Sequence, residues 1–481
     1  MMKCTQNIYK PSFIIILIFT LLMVNSPSVT AEEASSAKYP VAEEAMELIE
    51  QYYIYPMNEE YMEDFLLKGI ANTLPDPYSN YFTKEEYAYI TEEAFVDIGI
   101  EVKVDRAAKT VKIIHIYEGS PAEKAGLKEG DVILTVDGDP VDTADIYAMA
   151  YLFAGEKGTT AIVQVKRQGN LKTLRVIRDT IEQRYLYSQM LDEQIGYIQL
   201  LEFMDQSGDM FKDHLTLLKE QGMEKLVLDL RYNQGGYIHV LDEIAKQLWD
   251  RTLLMHTTDR TGYTRPHVIL GGTELDIPIV VLVNDFSASA SEILAGALQD
   301  HGKAQIIGTP TYGKARMQHV FQLSNEGMLI FTTDAYLTPN KHDIEGVGLV
   351  PDIYEEDELA QLVKGLHTLG TQTITLEDYS DYVIVNGLKV LHESAVTVFK
   401  DKLYVETSLL STLAPVSFQH TSTDTKRTIV HGNTSKTIDQ QKGHFITKNG
   451  ETYVHAEILE TILPNLDVFL ENGKPVLHYA Y

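Results

Sequence analysis

Apolar residues near the start of the folded part recur at three- and four-residue spacing. Val41, Ala45, Met46, Ile49 and Tyr52 would form one stripe along a helix. Pro56 ends that segment. A second helix is predicted over Glu60–Ala71, followed by the double-proline loop Leu74-Pro75-Asp76-Pro77-Tyr78-Ser79. By itself this region implies only a small packing or dimerisation module. From about Phe95 to Ile181 the period shortens to that of strands, predicted at Ile98–Val104, Val111–Ile116, Thr160–Arg167 and Lys172–Val176. Gly130 to Gly138 reads as a strand closed by an Asp-Gly turn, and Asp145–Ala154 as a short helix. From Gly196 to about Pro351 apolar strands alternate with helices. Lys225–Leu230, Ile279–Asn284 and Lys303–Gly308 are strands, whereas Ile238–Trp249 and about Ser291–Gln299 are helices, which is the βαβ rhythm. The final hundred residues are rich in β-branched residues and turns. There Tyr404 with Pro415, and Tyr453 with Pro464, recur at one forty-nine-residue offset, so a duplicated strand-helix-strand unit is predicted.

Composition narrows the classes. A chain of 481 residues predicts about three domains at ~150 residues each. Hydrophobic residues at 44% and charged ones at 23% exclude intrinsic disorder and a multi-span membrane protein. The net charge of −29 repels phosphate backbones and anionic headgroups, which argues against nucleic-acid binding and electrostatic membrane docking. The first residues read as an export signal: basic Lys3 and Lys10, the apolar run Phe13–Val24, and small residues at Val29-Thr30-Ala31. That run is shorter than the ~20 residues a spanning helix needs. Cleavage is the expectation, and an uncleaved signal is the one route to a membrane. The expected location is extracellular or in the cell envelope. Cys4, the only cysteine, lies inside this signal, so the mature chain has no disulfide, thiol nucleophile or thiolate metal site.

Candidate chemistry clusters in the βαβ part. The strand Ile279–Asn284 runs into Asp285-Phe286-Ser287-Ala288-Ser289-Ala290-Ser291-Glu292-Ile293. A buried strand that delivers small residues to a helix start can project a serine nucleophile and hold an oxyanion on backbone N–H groups. The competing reading is that Ser and Ala simply pack and cap the helix. Twenty-five residues after Ser289 stands Lys314, between tight-turn residues and just after a buried strand. Desolvation there would lower its pKa toward neutrality and let it accept a serine proton; the competing reading is a snorkelling surface lysine. Gly308-Thr309-Pro310-Thr311-Tyr312-Gly313-Lys314 imitates a phosphate-binding loop. Its eighth position is Ala315, and the alternating Gln318-His319-Val320-Phe321-Gln322-Leu323 reads as a strand where that loop requires a helix, so nucleotide binding is rejected. No His-Glu-x-x-His and no tight His-carboxylate cluster occurs, so neither a metal nor another cofactor is expected.

Several motifs, in order, resemble those of the carboxyl-terminal processing, or tail-specific, serine peptidases. They are Asp76-Pro77-Tyr78-Ser79-x-Tyr81, Leu228-Asp229-Leu230-Arg231-Tyr232-Asn233-Gln234-Gly235-Gly236, the Ser287–Asp300 segment, Gly308–Lys314, Tyr336-Leu337-Thr338-Pro339 and Gly346-Val347-Gly348-Leu349-Val350-Pro351-Asp352. The resemblance covers roughly Tyr39 to Ile353. It implies Ser289 as nucleophile, Lys314 as base, Gln318 as the residue that orients the base, and the N–H groups of Ala290 and Gly236 as oxyanion hole. Gly119-Ser120-Pro121-Ala122 with Ala125-Gly126-Leu127 and Gly130-Asp131 resembles a PDZ module. Its carboxylate loop would be Ile98, Gly99 and Ile100, ready to add a chain end as a strand. Two departures matter. Ala315 replaces a usual glycine, which would reshape the loop if φ > 0 is needed there, and Asp97 brings a charge that opposes a peptide carboxylate if its side chain points inward. The tail beyond Gln372 resembles duplicated β-rich stalk domains of exported proteins, with wall attachment, dimerisation or spacing as roles.

The expected fold is therefore multidomain α/β. It comprises a signal peptide (1–31), an N-terminal helical segment (32–93), a PDZ-like β domain (94–182), an α/β peptidase core with a crotonase-like βαβ rhythm (183–372) and a β-rich duplicated C-terminal domain (373–481). The expected function is an exported serine endopeptidase acting on proteins with accessible C-terminal tails, and related enzymes imply a homodimer. The alternative from another class is a catalytically silent PDZ scaffold of the cell envelope. It would have lost Ser289, Lys314 or Gln318, and all three are present. A wall-binding adhesin explains only the last hundred residues.

Overall fold

The computed structural model describes residues 39–481 apart from 56–57, 92–93, 106–108, 118, 142–151, 168, 183–184, 380–381, 391, 393–394, 415, 421–424 and 449–450. The export signal with Cys4, and most of the helix expected over Asp145–Ala154, fall outside the described residues.

The central sheet has six strands in the order Leu186–Met190, Ile195–Leu200, Lys225–Asp229, Ile279–Val283, Ala304–Gly308 and Ile353–Tyr354. Every neighbouring pair is parallel except the first. Parallel neighbours need long crossovers, and the helices Ser207–Glu220, Ile238–Leu248 and Ala290–Asp300 supply them. The middle strands are apolar on both faces because both faces are covered. Leu226, Leu228, Val281, Val283 and Ile306 share a core with the three crossover helices. Val227, Val280, Leu282 and Ile307 belong to a second core, with helix Glu358–Thr368 and the C-terminal residues Leu376, Val405, Leu410, Val454 and Leu477. The tail is thus packed onto the sheet through one continuous core and is not set apart from it as a stalk.

Within that tail, strands Val396–Phe399 and Lys402–Glu406 with helix Thr407–Leu413 recur forty-nine residues later as Phe445–Lys448, Glu451–His455 and Ala456–Glu460. The two hairpins join antiparallel through Tyr404↔His455, Val405↔Val454 and Glu406↔Tyr453. The equivalent valines pair with each other, so a local two-fold relates the copies.

A second sheet carries the strands Asn80–Phe82, Met328–Leu337, Arg251–Asp259 and Thr264–Leu270, with Arg316–Gln322 also paired to Met328–Leu337. The chain leaving the double-proline loop is therefore built into a sheet formed by residues some 250 positions later. Helix Pro40–Tyr52 forms where predicted and buries none of its residues. The PDZ-like region forms its own sheet, ordered Ile100–Asp105, Thr110–Ile116, Val132–Val136, Thr160–Arg167 and Asn170–Ile177, over a separate core of Ile98, Val111, Ile113, Ile133, Val163 and Val176. Asp137 (φ +55) and Gly138 (φ +97) make the predicted Asp-Gly turn. Among the described residues no helix is long and apolar enough to cross a membrane.

Candidate active site

Strand Ile279–Val283 is buried throughout, and the turn after it leads into helix Ala290–Asp300. Ser289 caps that helix at φ +55 and ψ −115, a conformation that costs a non-glycine residue about 1–3 kcal/mol and persists only where its surroundings impose it. The surroundings are the flanking serines. The Ser287 hydroxyl donates to the Leu230 carbonyl (2.8 Å), and the Ser291 hydroxyl donates to the Asn233 carbonyl (2.9 Å). The Ala288 N–H also donates to Asn233 (3.0 Å). Two of the three serines are therefore latches between this turn and the Leu230–Gly236 turn. The third, Ser289, is the strained one.

The Leu230–Gly236 turn is pressed against that nucleophile turn. A Cβ on Gly235 would lie 2.8 Å from Ser289 Cβ and 2.9 Å from the Ala290 nitrogen, so only glycine fits. The Gly235 carbonyl accepts from the Phe203 N–H (2.8 Å). In a trans peptide the N–H points opposite to the carbonyl, so the Gly236 N–H is directed away from Phe203 and is not spent on that strand contact. Ala290 is the first residue of its helix, and its N–H has no intrahelical partner. Among the described residues both oxyanion donors expected from the resemblance are thus left open.

One residue that sequence reasoning quoted only as part of a motif holds the site together. Glu292 is completely buried. Its carboxylate accepts from the Ser289 N–H (2.9 Å), the Gly313 N–H (2.7 Å), the Lys314 N–H (2.9 Å) and the Thr311 hydroxyl (2.5 Å). Burial pushes its carboxyl pKa upward, and these four donors oppose that push. The Tyr336 hydroxyl adds a second tie, donating to the Lys314 carbonyl (2.6 Å) with the Ser289 carbonyl 3.3 Å away.

Lys314 is completely buried, and among the described residues its Nζ has no hydrogen-bond partner. Desolvation pulls its pKa down to about 7, against the attraction of Glu292, Glu345 and Asp76. The Tyr78 ring, from the double-proline loop, lies with its centroid 5.1 Å from Nζ. The same loop reaches Gln318. Gln318 Nε2 donates to Thr332 Oγ1 (3.0 Å), and Thr332 Oγ1 donates to Asp76 Oδ1 (3.1 Å). The Thr332 hydroxyl proton is spent on Asp76, so the Gln318 amide donates to Thr332 and Gln318 Oε1 is left, among the described residues, as an open acceptor. A register shift at Met317/Gln318 is what aims this side chain. The N-terminal segment, read from sequence as a packing module, therefore contributes to the wall around Lys314. Ala315 is not among the described residues with positive φ; that conformation falls on Gly313 (φ +87), so the missing glycine does not reshape the loop. Strand Arg316–Gln322 follows, as the rejection of a nucleotide loop required.

Ser289, Ala290, Gly236, Lys314 and Gln318 come together around these turns, whereas Ile98, Gly99 and Ile100 lie in the PDZ-like region. There Asp97 turns inward. It is buried, and its Oδ1 accepts from the Ile98 N–H (2.6 Å) and the Gly99 N–H (2.8 Å). Burial raises its pKa to about 6, opposed by these two bonds and by Arg178. Among the described residues no group of three or more His, Cys, Asp or Glu could hold a metal.

Residues 194–355 match the sequence profile of peptidase family S41, and residues 96–177 match that of the PDZ domain. The chain is 34% identical over 304 residues to the carboxyl-terminal-processing protease of Picosynechococcus sp., covering 61% of this chain and 73% of that one. It is 32% identical over 332 residues to the carboxy-terminal-processing protease of Bartonella bacilliformis, covering 66% and 75%. Among solved structures, a photosystem II D1 C-terminal processing protease is similar at 29% identity and a TM-score of 0.48, covering 65% of this chain and 87% of that one. The expected fold and enzyme class agree with the two profile matches and the two protease relatives: a PDZ domain joined to a mixed α/β peptidase core. The chain belongs to peptidase family S41, the carboxyl-terminal-processing serine proteases.

Proposed function

We propose that this is an exported serine endopeptidase in which Ser289 attacks the peptide carbonyl and Lys314 is the general base. The observation that carries the reading is Lys314, a buried amine without a hydrogen-bond partner, tied through Glu292 to the turn that bears Ser289. With its pKa near 7 the amine is largely neutral in mildly alkaline solution and can take the Ser289 proton. The oxygen then bonds to the substrate carbonyl carbon, and the charge that develops on the carbonyl oxygen falls to the N–H groups of Ala290 and Gly236. Lys314, now an ammonium, is met by the Tyr78 face and by Gln318 Oε1. It returns its proton to the departing amine and leaves an acyl-Ser289. Water, deprotonated by the same lysine, hydrolyses that ester.

Support for export lies in the first thirty-one residues. Support for a homodimer lies in helix Pro40–Tyr52, whose Val41, Leu48, Ile49 and Tyr52 are exposed. The PDZ module takes substrate chain ends by strand addition and either delivers them or gates the site. Incubating the mature enzyme with an unfolded protein and sequencing the products by mass spectrometry tests the reading. Defined peptide products, absent with Ser289→Ala, are expected; identical products from the Ser289→Ala chain would refute it.

A further inference from the structure

In a PDZ module a chain end is held in two ways: its backbone extends the edge strand, and its terminal carboxylate sits on the N–H groups of the preceding loop. Among the described residues the edge is open, since Ile100–Asp105 is the outermost strand of its sheet. Its first donor also faces outward. The Tyr117 N–H donates to the Gly99 carbonyl (3.2 Å), and antiparallel pairing alternates, so the next residue, Ile100, turns its N–H to the free edge.

The loop is not open. Its carbonyls are tied back, Ile98 to the Ala122 N–H (2.8 Å) and Gly99 to the Tyr117 N–H, which turns the loop N–H groups toward the anion position. That position already holds a carboxylate. Asp97 Oδ1 accepts from both the Ile98 and Gly99 N–H groups. The loop has little room to rearrange, because a Cβ on Gly99 would lie 2.5 Å from Ser120 Cβ. The nearby cation does not draw Asp97 out. Arg178 is committed to the Phe153 carbonyl (2.9 Å), the Leu152 carbonyl (2.9 Å) and Asp137 (2.9 Å).

We infer that Asp97 is an internal mimic of a substrate C-terminal carboxylate, so that this PDZ module binds extended chain by its backbone and side chains without reading the terminal carboxylate. Its ligands are then strand-forming segments whose end is amidated, masked or internal as readily as free chain ends. The inference rests on the strand-addition reading above and names the specificity of that same site.

The test uses the full mature chain carrying Ser289→Ala, so that bound peptide survives, and two fluorescent peptides of one extended apolar sequence. One ends in a free acid and the other in an amide. Fluorescence polarisation should give affinities for the two within about twofold. Adding Asp97→Gly should strengthen the acid about tenfold or more and leave the amide within twofold. A tenfold preference for the acid while Asp97 is present, or an acid affinity unmoved by Asp97→Gly, overturns the inference. A third chain, carrying Ile100→Pro, separates the two levels. If an acid preference seen with Asp97 present is lost in that chain, strand addition stands and the role of Asp97 alone fails. Binding that Ile100→Pro leaves untouched, or no binding by any chain, overturns strand addition and the inference with it.

Discussion

Two turns in this chain point backbone N–H groups at an anion position, and they are finished in opposite ways. At Gly236 and Ala290 the N–H donors are left open among the described residues, and the nearby carboxylate, Glu292, faces the other side, spending its oxygens on Ser289, Thr311, Gly313 and Lys314. At Ile98-Gly99 the local carboxylate, Asp97, folds into the turn and consumes the donors itself. The difference follows from what each turn serves. In the proposed mechanism an oxyanion exists only during reaction, so its donors must wait unpaired, and the strain of the open turn is carried by Ser289 at φ +55. A filled nest costs nothing to maintain, but it gives up recognition of a terminal charge. The lesson is that an anion-binding turn is defined by where the neighbouring carboxylate points, and not by its glycines alone.

The largest effect should come from the open turn. Ser289→Ala should lower kcat by roughly 10⁴-fold or more with the fold intact. Ser287→Ala and Ser291→Ala should keep the chemistry but lower stability by about 0.5–3 kcal/mol: the first takes the acceptor from the buried Asn284 N–H as well as one donor from the Leu230 carbonyl, and the second takes one of two donors from the Asn233 carbonyl. Denaturant melts beside turnover assays separate the two classes of serine. Comparable kcat losses for all three would erase the distinction between nucleophile and latch.

Gly235→Ala comes next. Its new methyl group would press on Ser289 Cβ and the Ala290 nitrogen, so kcat should fall about 10²–10³-fold, the scale of losing an oxyanion donor, with KM little changed. A change confined to KM would mean that the turn binds substrate and does not stabilise the reacting oxygen.

A smaller effect is expected at Tyr78. Its ring face should favour the ammonium form of Lys314 by about 0.5–2 kcal/mol. Tyr78→Leu should therefore move the kinetic pKa below that of the wild type and slow kcat severalfold, and Tyr78→Phe should restore both. Equal profiles for all three chains would show that the ring only fills space.

Much of this site was legible in sequence because its chemistry is local. Ser289, Ala290 and the strand-to-helix geometry lie in one run, and Lys314 sits in a turn whose following strand excluded a nucleotide loop. What was missed is long-range. Glu292 reads as an ordinary acidic residue in the first turn of a helix, and nothing in the run announces bonds to residues 311, 313 and 314. Asp76 and Tyr78 lie more than two hundred positions from Lys314, and only the pairing of Asn80–Phe82 with Met328–Leu337 brings them there. The tail offered an indirect signal. Strands such as Ile279–Val283 are apolar on both faces, and the three crossover helices cover one face only, so another element had to cover the second. Asp97 stood out as a charge in the wrong place, but its direction depended on the packing of Gly99 against Ser120.

The central claim is that Lys314 works as a neutral base. Its folded pKa of about 7 lies below the ordinary 10.5, so the folded chain binds fewer protons than the unfolded one between those values. The penalty of burying this amine is then full below pH 7 and fades as pH rises toward 10.5, and Lys314→Met should stabilise the chain most at the acid end of that range. The direct measurement is kcat/KM against pH on an unfolded protein substrate. It should rise through an ionisation near pH 7 and level off above it, and Lys314→Arg, which cannot shed its proton, should be inactive throughout. A flat profile from pH 5.5 to 9, or turnover by the arginine variant, would contradict the account.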